Sequence, residues 1–361
     1  MILDDLGFNA RFRNEAEALA IAGASPARVT AVDRERWTVR DAEGEMPAEL
    51  AGRLRHASDD SLSLPCVGDW VLAQLVDDRR LAILHAVLPR RSLLRRKAPF
   101  RTIDYQPIAA NVDTAFLVQS CDGNFNLRRL ERYLAMVLEA GVEPVVLLAK
   151  ADLDTPQGVE ERIGRLRQAH IDSQIIALSS RSGAGLEALH RRLMPRMTYC
   201  LLGSSGVGKS TLVNLLLGAE ALATAPVRAY DGKGRHTTAR RQLFLLEGGA
   251  LLIDTPGMRE LQLWGDEDAL SGAFADIEAL VTQCRFGDCS HAGEPGCAVQ
   301  QAIADGTLDP ARYRSYLAQQ RELRRLAARQ DSKLRLREKE RSKRFGRMCK
   351  EMGKQRKRLG W

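Results

Sequence analysis

A glycine-rich loop between an apolar run and a helix start limits the possible folds of this chain more than any other feature. Residues 203–210 read GSSGVGKS and follow the apolar run Thr198–Leu202. Glycines let backbone amides turn inward around phosphate oxygens, and a helix N-terminus adds its positive dipole end. The order of strand, loop and helix is typical of a Walker A phosphate loop, and less so of a glycine-rich turn with a surface lysine.

Two side chains of this loop have distinct predicted roles. Lys209 is expected to reach the outer phosphates, and the Ser210 hydroxyl is expected to ligate Mg²⁺. The predicted nucleotide contacts in and beside the loop are Gly203, Ser204, Ser205, Gly206, Val207, Gly208, Lys209, Ser210 and Thr211.

A second phosphate-side motif, Asp-Thr-Pro-Gly at 254–257, follows the apolar run 251–253. An aspartate at a strand end beside a phosphate loop suits a Mg²⁺ site of Walker B type, so we assign Asp254 to it. Gly257 is expected to offer its amide to the γ-phosphate. Between the two motifs lies the polar segment 231–238, in which Thr237 or Thr238 completes the Mg²⁺ shell; the sequence does not decide between them.

Base recognition is predicted at Lys150, Ala151 and Asp152, directly after the apolar run Val145–Ala149. A carboxylate accepts two hydrogen bonds from guanine N1–H and the N2 amine, and adenine offers no matching pair. Ser179 and Ser180 follow the next strand-like run and are expected to contact the guanine O6. Taken alone, Asp152 would be interpreted as a helix cap. Its position after a buried strand, in a chain that also has a phosphate loop, favours base selection instead.

The order of these segments is unusual, because base recognition at 150 and 180 precedes the phosphate loop at 203. Six strand-like runs alternate with helix-like runs from residue 111 onward, which predicts a mostly parallel sheet covered by helices on both faces. The same sheet forms if the natural domain ends are joined, since domain termini usually lie close together. We therefore predict a circularly permuted GTPase domain. The predicted strands are Thr114–Gln119, Val145–Ala149, Gln174–Leu178, Thr198–Leu202, Gln242–Glu247 and Ala250–Ile253, and the predicted helices are Leu127–Ala140, Val159–Ala169, Leu186–Met194 and Ser210–Leu217.

Short β-type runs separated by turn signals fill residues 27–89, a spacing that suits a small barrel such as an OB-fold. The basic stretch Arg90–Lys97 is interpreted as a linker or an RNA-facing loop, and residues 1–25 as an N-terminal extension. The predicted strands of this part are Arg28–Ala31, Arg36–Arg40, Glu49–Arg55, Asp69–Val76 and Leu81–Val87.

A cysteine and histidine cluster follows the last strand-like run and has the spacing C-x₄-C-x-H-x₅-C at Cys284, Cys289, His291 and Cys297. Three thiolates and one imidazole make a closed tetrahedral Zn²⁺ shell, so we predict one structural zinc. Seven cysteines in 361 residues are too few for a disulfide scaffold, which favours a reducing cytoplasm. Helices are predicted at Ala269–Thr282 and Arg312–Arg329 on either side of the cluster.

The net charge of +8 is concentrated at the C-terminus, where residues 321–361 hold 17 Lys and Arg against 5 Asp and Glu. Such tails bind nucleic acid or a membrane surface, although many are only solvated helix faces. No apolar run is long enough to span a bilayer, and the N-terminus lacks the pattern of a secretory signal.

Taken together, these motifs resemble the small-ribosomal-subunit-dependent GTPases, the RsgA (YjeQ) family. The resemblance rests on NVD (111–113), KADL (150–153), GSSGVGKSTLVN (203–214), GRHTT (234–238), DTPG (254–257) and the cluster CRFGDCSHAGEPGC (284–297). It implies an N-terminal OB-fold, a permuted GTPase centre and a C-terminal zinc module. It also implies GTP hydrolysis stimulated by the small ribosomal subunit, and a role in late maturation of that subunit.

Two departures bear on the site. The base-recognition motif of such GTPases usually begins with asparagine, whereas this chain has Ala149, so one hydrogen bond is lost while discrimination through Asp152 should survive. Met258 follows the Asp-Thr-Pro-Gly motif where many GTPases carry a water-orienting glutamine. The family also lacks that glutamine, and His236 is similar to its proposed catalytic histidine; an RNA contact is the other interpretation of His236.

The resulting prediction is a multidomain protein: an extension at 1–25, an OB-fold RNA-binding domain at 26–104, a permuted α/β P-loop GTPase domain at 105–268, and a helical zinc-binding domain with a basic tail at 269–361. We expect a monomeric, cytoplasmic, ribosome-stimulated GTP hydrolase with GTP, GDP and small-subunit rRNA as partners. The alternatives are an RNA-binding assembly factor that uses GTP only as a conformational ligand, and a P-loop kinase or ATPase.

Overall fold

A computed structural model describes residues 2–33, 36–57, 61–97, 105–218, 241–255 and 273–324. Within these ranges, no helix is both long enough and apolar enough to cross a membrane.

The N-terminal segment packs on the core. A 3₁₀ turn at Leu3–Leu6 is followed by helix α1 (Ala10–Leu19), which Asn9 caps by accepting a hydrogen bond from the Phe12 amide. Leu6, Phe8 and Phe12 are buried, and the ring centroids of Phe8 and Trp70 lie 4.7 Å apart. Three apolar anchors in a polar stretch are a weak sequence signal, because their partner Trp70 is distant in sequence.

Five strands form a closed barrel after this segment. β1 pairs with β2 and β4, β2 with β3, β3 with β5, and β5 with β4; only the β3–β5 pair is parallel. Alternating burial along the strands fills the interior, as in the buried, exposed alternation of residues 45–50. The barrel confirms the predicted OB-type fold. Its strands are β1 (Ser25–Asp33), β2 (Arg36–Arg40), β3 (Glu45–Leu50), β4 (Trp70–Val76) and β5 (Leu81–Val87).

The predicted strand Glu49–Arg55 is wrong in its bounds. β3 ends at Leu50, and residues Gly52–Ala57 form helix α2. Met46, Ala48 and Leu50 are the alternate buried positions of β3, and this alternation stops at residue 50. The register of the strand therefore follows the apolar pattern upstream of the predicted range.

The basic stretch Arg90–Lys97, interpreted above as a linker or loop, contains a strand. β6 (Leu93–Lys97) pairs antiparallel with β7 (Tyr105–Ala110), which the sequence did not indicate. Leu94 is fully buried, whereas Arg95 on the opposite side of the strand forms an ion pair with Glu139 at 3.1 Å. Leu94, which is flanked by basic residues in the sequence, is the side chain through which β6 packs on the core.

A second set of strands forms the mostly parallel sheet that the sequence predicts. The order is β10–β9–β8–β11–β13–β12, parallel throughout except that β12 runs antiparallel to β13. All seven residues of β8 are buried, as expected for a strand covered on both faces. The strands are β8 (Thr114–Ser120), β9 (Glu143–Ala149), β10 (Gln174–Ala177), β11 (Thr198–Leu202), β12 (Arg241–Leu245) and β13 (Leu251–Asp254).

Helices cover both faces of this sheet. Alternate residues of β8 point to opposite sides: Leu117 joins the core on the side of α3 and α4, and Phe116 and Val118 join the core on the side of α5 and α6. This agrees with the predicted doubly covered sheet. The helices are α3 (Leu127–Glu139), α4 (Pro156–Gln168), α5 (Leu186–His190) and α6 (Lys209–Leu217).

The barrel and the α/β sheet are joined edge to edge. β1 pairs antiparallel with β12 at Ala31–Gln242 and Val32–Arg241, which makes one sheet of eleven strands. Arg28 reinforces the junction: its buried guanidinium donates to the carbonyls of Leu6 and Gly68 and, at 2.8 Å, to the Thr198 hydroxyl. Burial lowers the pKa of Arg28 to about 10. One side chain thus connects three parts of the molecule.

The C-terminal module consists of α7 (Ala275–Val281), α8 (Ala298–Ala304) and α9 (310–324) around a small apolar core. It is attached to the α/β domain by a buried ion-pair network. Arg312 contacts Glu131 of α3 at 3.1 Å and Asp276 of α7 at 2.7 Å. α7 lies within the predicted helix Ala269–Thr282 and α9 overlaps the predicted helix Arg312–Arg329, whereas α8 was not predicted. Residues 269–272 and 325–329 of the predicted helices lie outside the described ranges.

Replacing Arg28 with alanine is predicted to lower the free energy of unfolding by about 3–5 kcal/mol, because three buried acceptors each lose a hydrogen bond and a cavity remains. Urea denaturation followed by fluorescence measures this change. Arg13→Ala is the matched control: Arg13 pairs with Asp4 at the exposed surface, so less than about 1 kcal/mol is expected. Equal effects of the two substitutions would contradict the role assigned to Arg28.

Candidate functional site

The glycine-rich loop connects the fully buried strand β11 to helix α6, as the sequence predicts. Gly208 has a φ of +105°, a backbone conformation that residues other than glycine rarely adopt. A Cβ at Gly203 would lie 2.7 Å from the Val118 carbonyl oxygen. These two glycines are therefore needed for the course of the loop itself, independently of any ligand.

Lys209, the first residue of α6, folds back over the loop. Its ammonium donates to the carbonyl oxygens of Gly203 and Ser204, both at 2.8 Å. Burial lowers the pKa of Lys209 to about 8, although the nearby Asp254 carboxylate opposes the shift. Ser210 follows it at the start of the helix, and Thr211 is exposed. The Lys209 ammonium therefore lies against the first two residues of the glycine-rich loop.

Asp254 ends β13 and lies opposite Leu201 in the register of β11. Burial raises the pKa of Asp254 to about 6, and the Lys209 ammonium acts in the opposite direction. Thr255 donates its hydroxyl hydrogen bond to the Leu201 carbonyl at 2.6 Å, which fixes the strand end. A carboxylate, an ammonium and a glycine-rich loop thus meet at the carboxyl ends of two neighbouring parallel strands.

The predicted base-recognition segment lies against the same loop. The Lys150 ammonium donates to the Gly206 carbonyl at 2.7 Å and to Asp122 Oδ2 at 2.9 Å. Asp152 accepts a hydrogen bond from the Ser179 hydroxyl at 2.5 Å, and the Ala151 amide donates to the Leu178 carbonyl. The three segments around 150, 179 and 206, although shuffled in the sequence, therefore lie at one edge of the sheet.

The remaining predicted residues divide into two groups. Ser180, Ser204, Ser205 and Val207 lie in the described loops at this edge of the sheet, with Val207 fully buried. Gly257, His236, Thr237 and Thr238 lie outside the described residues, and so do Pro256 and Met258.

Two further residues of this site, Asp122 and Asn124 in the loop that follows β8, were not predicted from the sequence. Asn124 donates from Nδ2 to the Ser205 carbonyl at 3.3 Å. Burial alone would raise the pKa of Asp122, but hydrogen bonds from Ser120, Lys150 and the Asn124 amide lower it overall. The available signal was their position, since polar residues directly after a buried parallel strand lie at the edge where ligands bind.

The cysteine and histidine cluster is assembled as predicted. One ligand atom each from Cys284, Cys289, His291 and Cys297 lies within 4.8 Å of all the others. His291 Nδ1 is 3.4 Å from the Cys284 sulfur and 3.5 Å from the Cys297 sulfur. Glu294 orders the intervening loop by accepting hydrogen bonds from the amides of Ser290 and Ala292. Four soft and borderline donors converging in this way form a group that could hold a metal ion.

The other described cysteines, Cys66, Cys121 and Cys200, are buried and free. Burial raises the pKa of each of their thiols, so they behave as core residues. Cys349 lies outside the described residues.

These features define the class of protein. A parallel sheet with a glycine-rich loop after β11, a buried aspartate at the end of β13, and the two predicted base-recognition segments after β9 and β10 has the architecture of a P-loop GTPase domain. Because the strands that lead to the predicted base-recognition segments come before the glycine-rich loop in the chain, the domain is circularly permuted.

Comparison with known proteins identifies the family. The model of the RsgA GTPase family matches residues 87–264. The small ribosomal subunit biogenesis GTPase RsgA of Opitutus terrae is 44% identical over 355 residues, 96% of each chain. The protein of the same name from Xylella fastidiosa strain M23 is 46% identical over 293 residues, 81% of this chain and 86% of the relative. The chain belongs to the RsgA GTPase family and is a GTP hydrolase.

Solved structures agree on the fold. The crystal structure of YjeQ from Thermotoga maritima has a TM-score of 0.60 and 25% identity, covering 83% of this chain and 98% of that one. The structure of YloQ, described as a circularly permuted GTPase, has a TM-score of 0.57 and 24% identity, covering 84% of this chain and 96% of that one.

Proposed function

We propose that this chain hydrolyses GTP in response to the small ribosomal subunit and acts on that subunit during its late maturation. The observation that carries the proposal is the contact of Lys150 with the Gly206 carbonyl, since it connects a guanine-recognition segment with a phosphate loop. The names of the relatives from Opitutus terrae and Xylella fastidiosa supply the ribosomal context.

The phosphate groups of GTP are assigned to residues 203–211. Their amides surround the phosphate oxygens, and Lys209 neutralises charge that develops on the transferred group. Ser210, Asp254 and either Thr237 or Thr238 would hold Mg²⁺, and Gly257 would donate its amide to the γ-phosphate. The buried Asp254 carboxylate at the edge of the loop is a suitable oxygen ligand for this ion. When bound, Mg²⁺ would neutralise negative charge on the phosphates.

Guanine is assigned to Lys150, Ala151, Asp152, Ser179 and Ser180. The Ser179 hydroxyl orients the Asp152 carboxylate and is itself fixed by the amides of Arg181 and Ser182. A carboxylate held in this way is prepared to accept hydrogen bonds from N1–H and the N2 amine of the base. Adenine offers this carboxylate no matching pair of donors, which disfavours the kinase and ATPase alternatives.

Water activation is assigned to His236, through resemblance to the histidine proposed in the family. Met258 cannot orient water, and the charged groups that the described part of the site places beside the phosphate loop, among them Lys209, Lys150 and Asp254, are all assigned to other roles. We therefore expect slow hydrolysis until the ribosomal subunit positions His236.

The metal of the C-terminal module is proposed to be one structural Zn²⁺. Three cysteines and one histidine would supply all four ligands that a structural Zn²⁺ takes, which would leave no position for substrate. The ligands come from the loop between α7 and α8, so the ion would hold these two helices together.

The domain division proposed is 1–25, 26–104, 105–268 and 269–361. The barrel and the basic C-terminal region are proposed to bind rRNA, with the +8 net charge as support. We further propose that the protein is cytoplasmic and monomeric.

His236→Ala is predicted to reduce subunit-stimulated GTP turnover at least about 100-fold, the usual contribution of a positioned acid–base residue, while GDP affinity stays within about twofold of wild type. Phosphate release with and without purified small subunits, at several salt concentrations, measures both rates. Unchanged stimulated turnover would remove His236 from catalysis. Turnover that small subunits leave unaltered would overturn the proposed function in favour of GTP as a conformational ligand.

Asp152→Asn is predicted to weaken GTP binding roughly tenfold to 100-fold and to improve binding of xanthosine triphosphate, because an amide can donate to the xanthine O2. Competition against a fluorescent GDP measures both affinities. Glu187→Gln is the control, since Glu187 forms only an exposed ion pair with Arg191. An unaltered preference for GTP in Asp152→Asn would exclude this carboxylate from base recognition.

Purified protein is predicted to carry about one zinc ion per chain, and Cys297→Ser to lose most of it together with roughly 5 °C or more of thermal stability. Elemental analysis and thermal melting provide the two readouts. Asp288→Asn, an exposed change in the same loop, should retain the metal. Full zinc content in Cys297→Ser would contradict the ligand assignment.

A further inference from the structure

The base-recognition segment is connected to the phosphate loop although it begins with a residue that cannot form a side-chain hydrogen bond. Ala149 is buried in the apolar core beneath α5 and α6. The side-chain connection in the described structure passes instead through Lys150, whose ammonium contacts both the Gly206 carbonyl and Asp122.

Asp122 is held in place for this contact by its own loop. Its Oδ1 accepts hydrogen bonds from the Ser120 hydroxyl at 2.6 Å and the Asn124 amide at 2.9 Å. Its Oδ2 is then directed at the Lys150 ammonium, 2.9 Å away. Because both partners are about three-quarters buried, this ion pair is screened less than a surface pair.

Asn124 forms a second connection from the same loop. Its Nδ2 donates to the Ser205 carbonyl at 3.3 Å, and its Oδ1 accepts from Arg129 of α3 at 2.9 Å. The amide side chain is thus fixed by a helix on one side and contacts the phosphate loop on the other.

The carbonyls that these contacts engage belong to consecutive peptides of the phosphate loop. In a planar trans peptide the C=O and the following N–H point in opposite directions. The Ser205 carbonyl accepts from Asn124 and the Gly206 carbonyl accepts from Lys150, so the amides of Gly206 and Val207 point away from these two side chains. Those amides are among the donors assigned to phosphate above.

We propose that residues 121–125, the β8–α3 loop, form a positioning element for the nucleotide. Asp122 acts through Lys150, and Asn124 acts directly, to hold the base-recognition segment and the phosphate loop in one arrangement. In this chain the loop supplies the connection that Ala149 cannot make. The inference rests on the proposed nucleotide site and adds two positioning residues to it.

The test is a double-mutant cycle read out by nucleotide affinity. Asp122→Asn retains an oxygen for Ser120 and the Asn124 amide but loses the charge that fixes Lys150. We expect it to raise the Kd for a fluorescent GDP about tenfold and the KM for GTP similarly, with kcat and the thermal midpoint changed little. In a Lys150→Met background, Asp122→Asn should change the Kd less than about twofold, because its partner is already gone.

Asn124→Ala provides an independent variant, with an expected rise in Kd of about fivefold. Asp41→Asn is the matched control. Asp41 also accepts two amides of its own loop, from Glu43 and Gly44, and pairs with an arginine, Arg79, but it lies in the barrel. Asp41→Asn should likewise change the thermal midpoint little, and it should leave the Kd unchanged.

Wild-type affinity in both Asp122→Asn and Asn124→Ala would overturn the inference, as would fully additive effects of Asp122→Asn and Lys150→Met. A wild-type chain that fails to bind GDP would instead overturn the proposed function, so the two failures are distinguishable. A loss of stability without a change in Kd would assign the loop to folding alone and would likewise reject the proposal.

Discussion

Parallel pairing of β11 between β8 and β13 is the constraint on which the rest of the structure depends. Leu201 and Leu202, the last residues of β11, lie opposite Asp254 and Leu117. Because parallel strands end at the same edge, the segments that follow them meet there whatever their order in the chain. The pairings of β8 with β9 and of β9 with β10 extend this edge to the base-recognition segments. A permuted order of motifs is therefore compatible with an ordinary site.

The same sheet also determines how the barrel is attached. β12, the one antiparallel strand of the α/β sheet, pairs with β1 of the barrel on its other side. Arg28 and Asn111 strengthen the junction, and both donate to the Gly68 carbonyl. In the sequence, β12 directly follows residues 219–240, which contain His236 and the two candidate threonines. The barrel is thus bonded to the strand next to the segment to which we assign catalysis.

How much the sequence could predict depends on whether the signal was local. Features whose defining residues lie within a short stretch of sequence could be predicted. They are strand β11, the glycine-rich loop, the pair Lys150 and Asp152, and the cluster from Cys284 to Cys297. Strand β6 was missed because its one buried leucine, Leu94, outweighs the three basic residues of the strand only when the partner strand β7 is present. Asp122 and Asn124 were missed for the same reason: their contacts with Lys150 and Ser205 join residues far apart in the chain.

Hydrogen–deuterium exchange with a non-hydrolysable GTP analogue tests most directly whether the shuffled segments surround one nucleotide. Backbone amides in 150–153, 179–182 and 203–212 are predicted to become protected together, with the same dependence on analogue concentration. Protection confined to 203–212, with 150–153 and 179–182 exchanging as they do without the analogue, would contradict it.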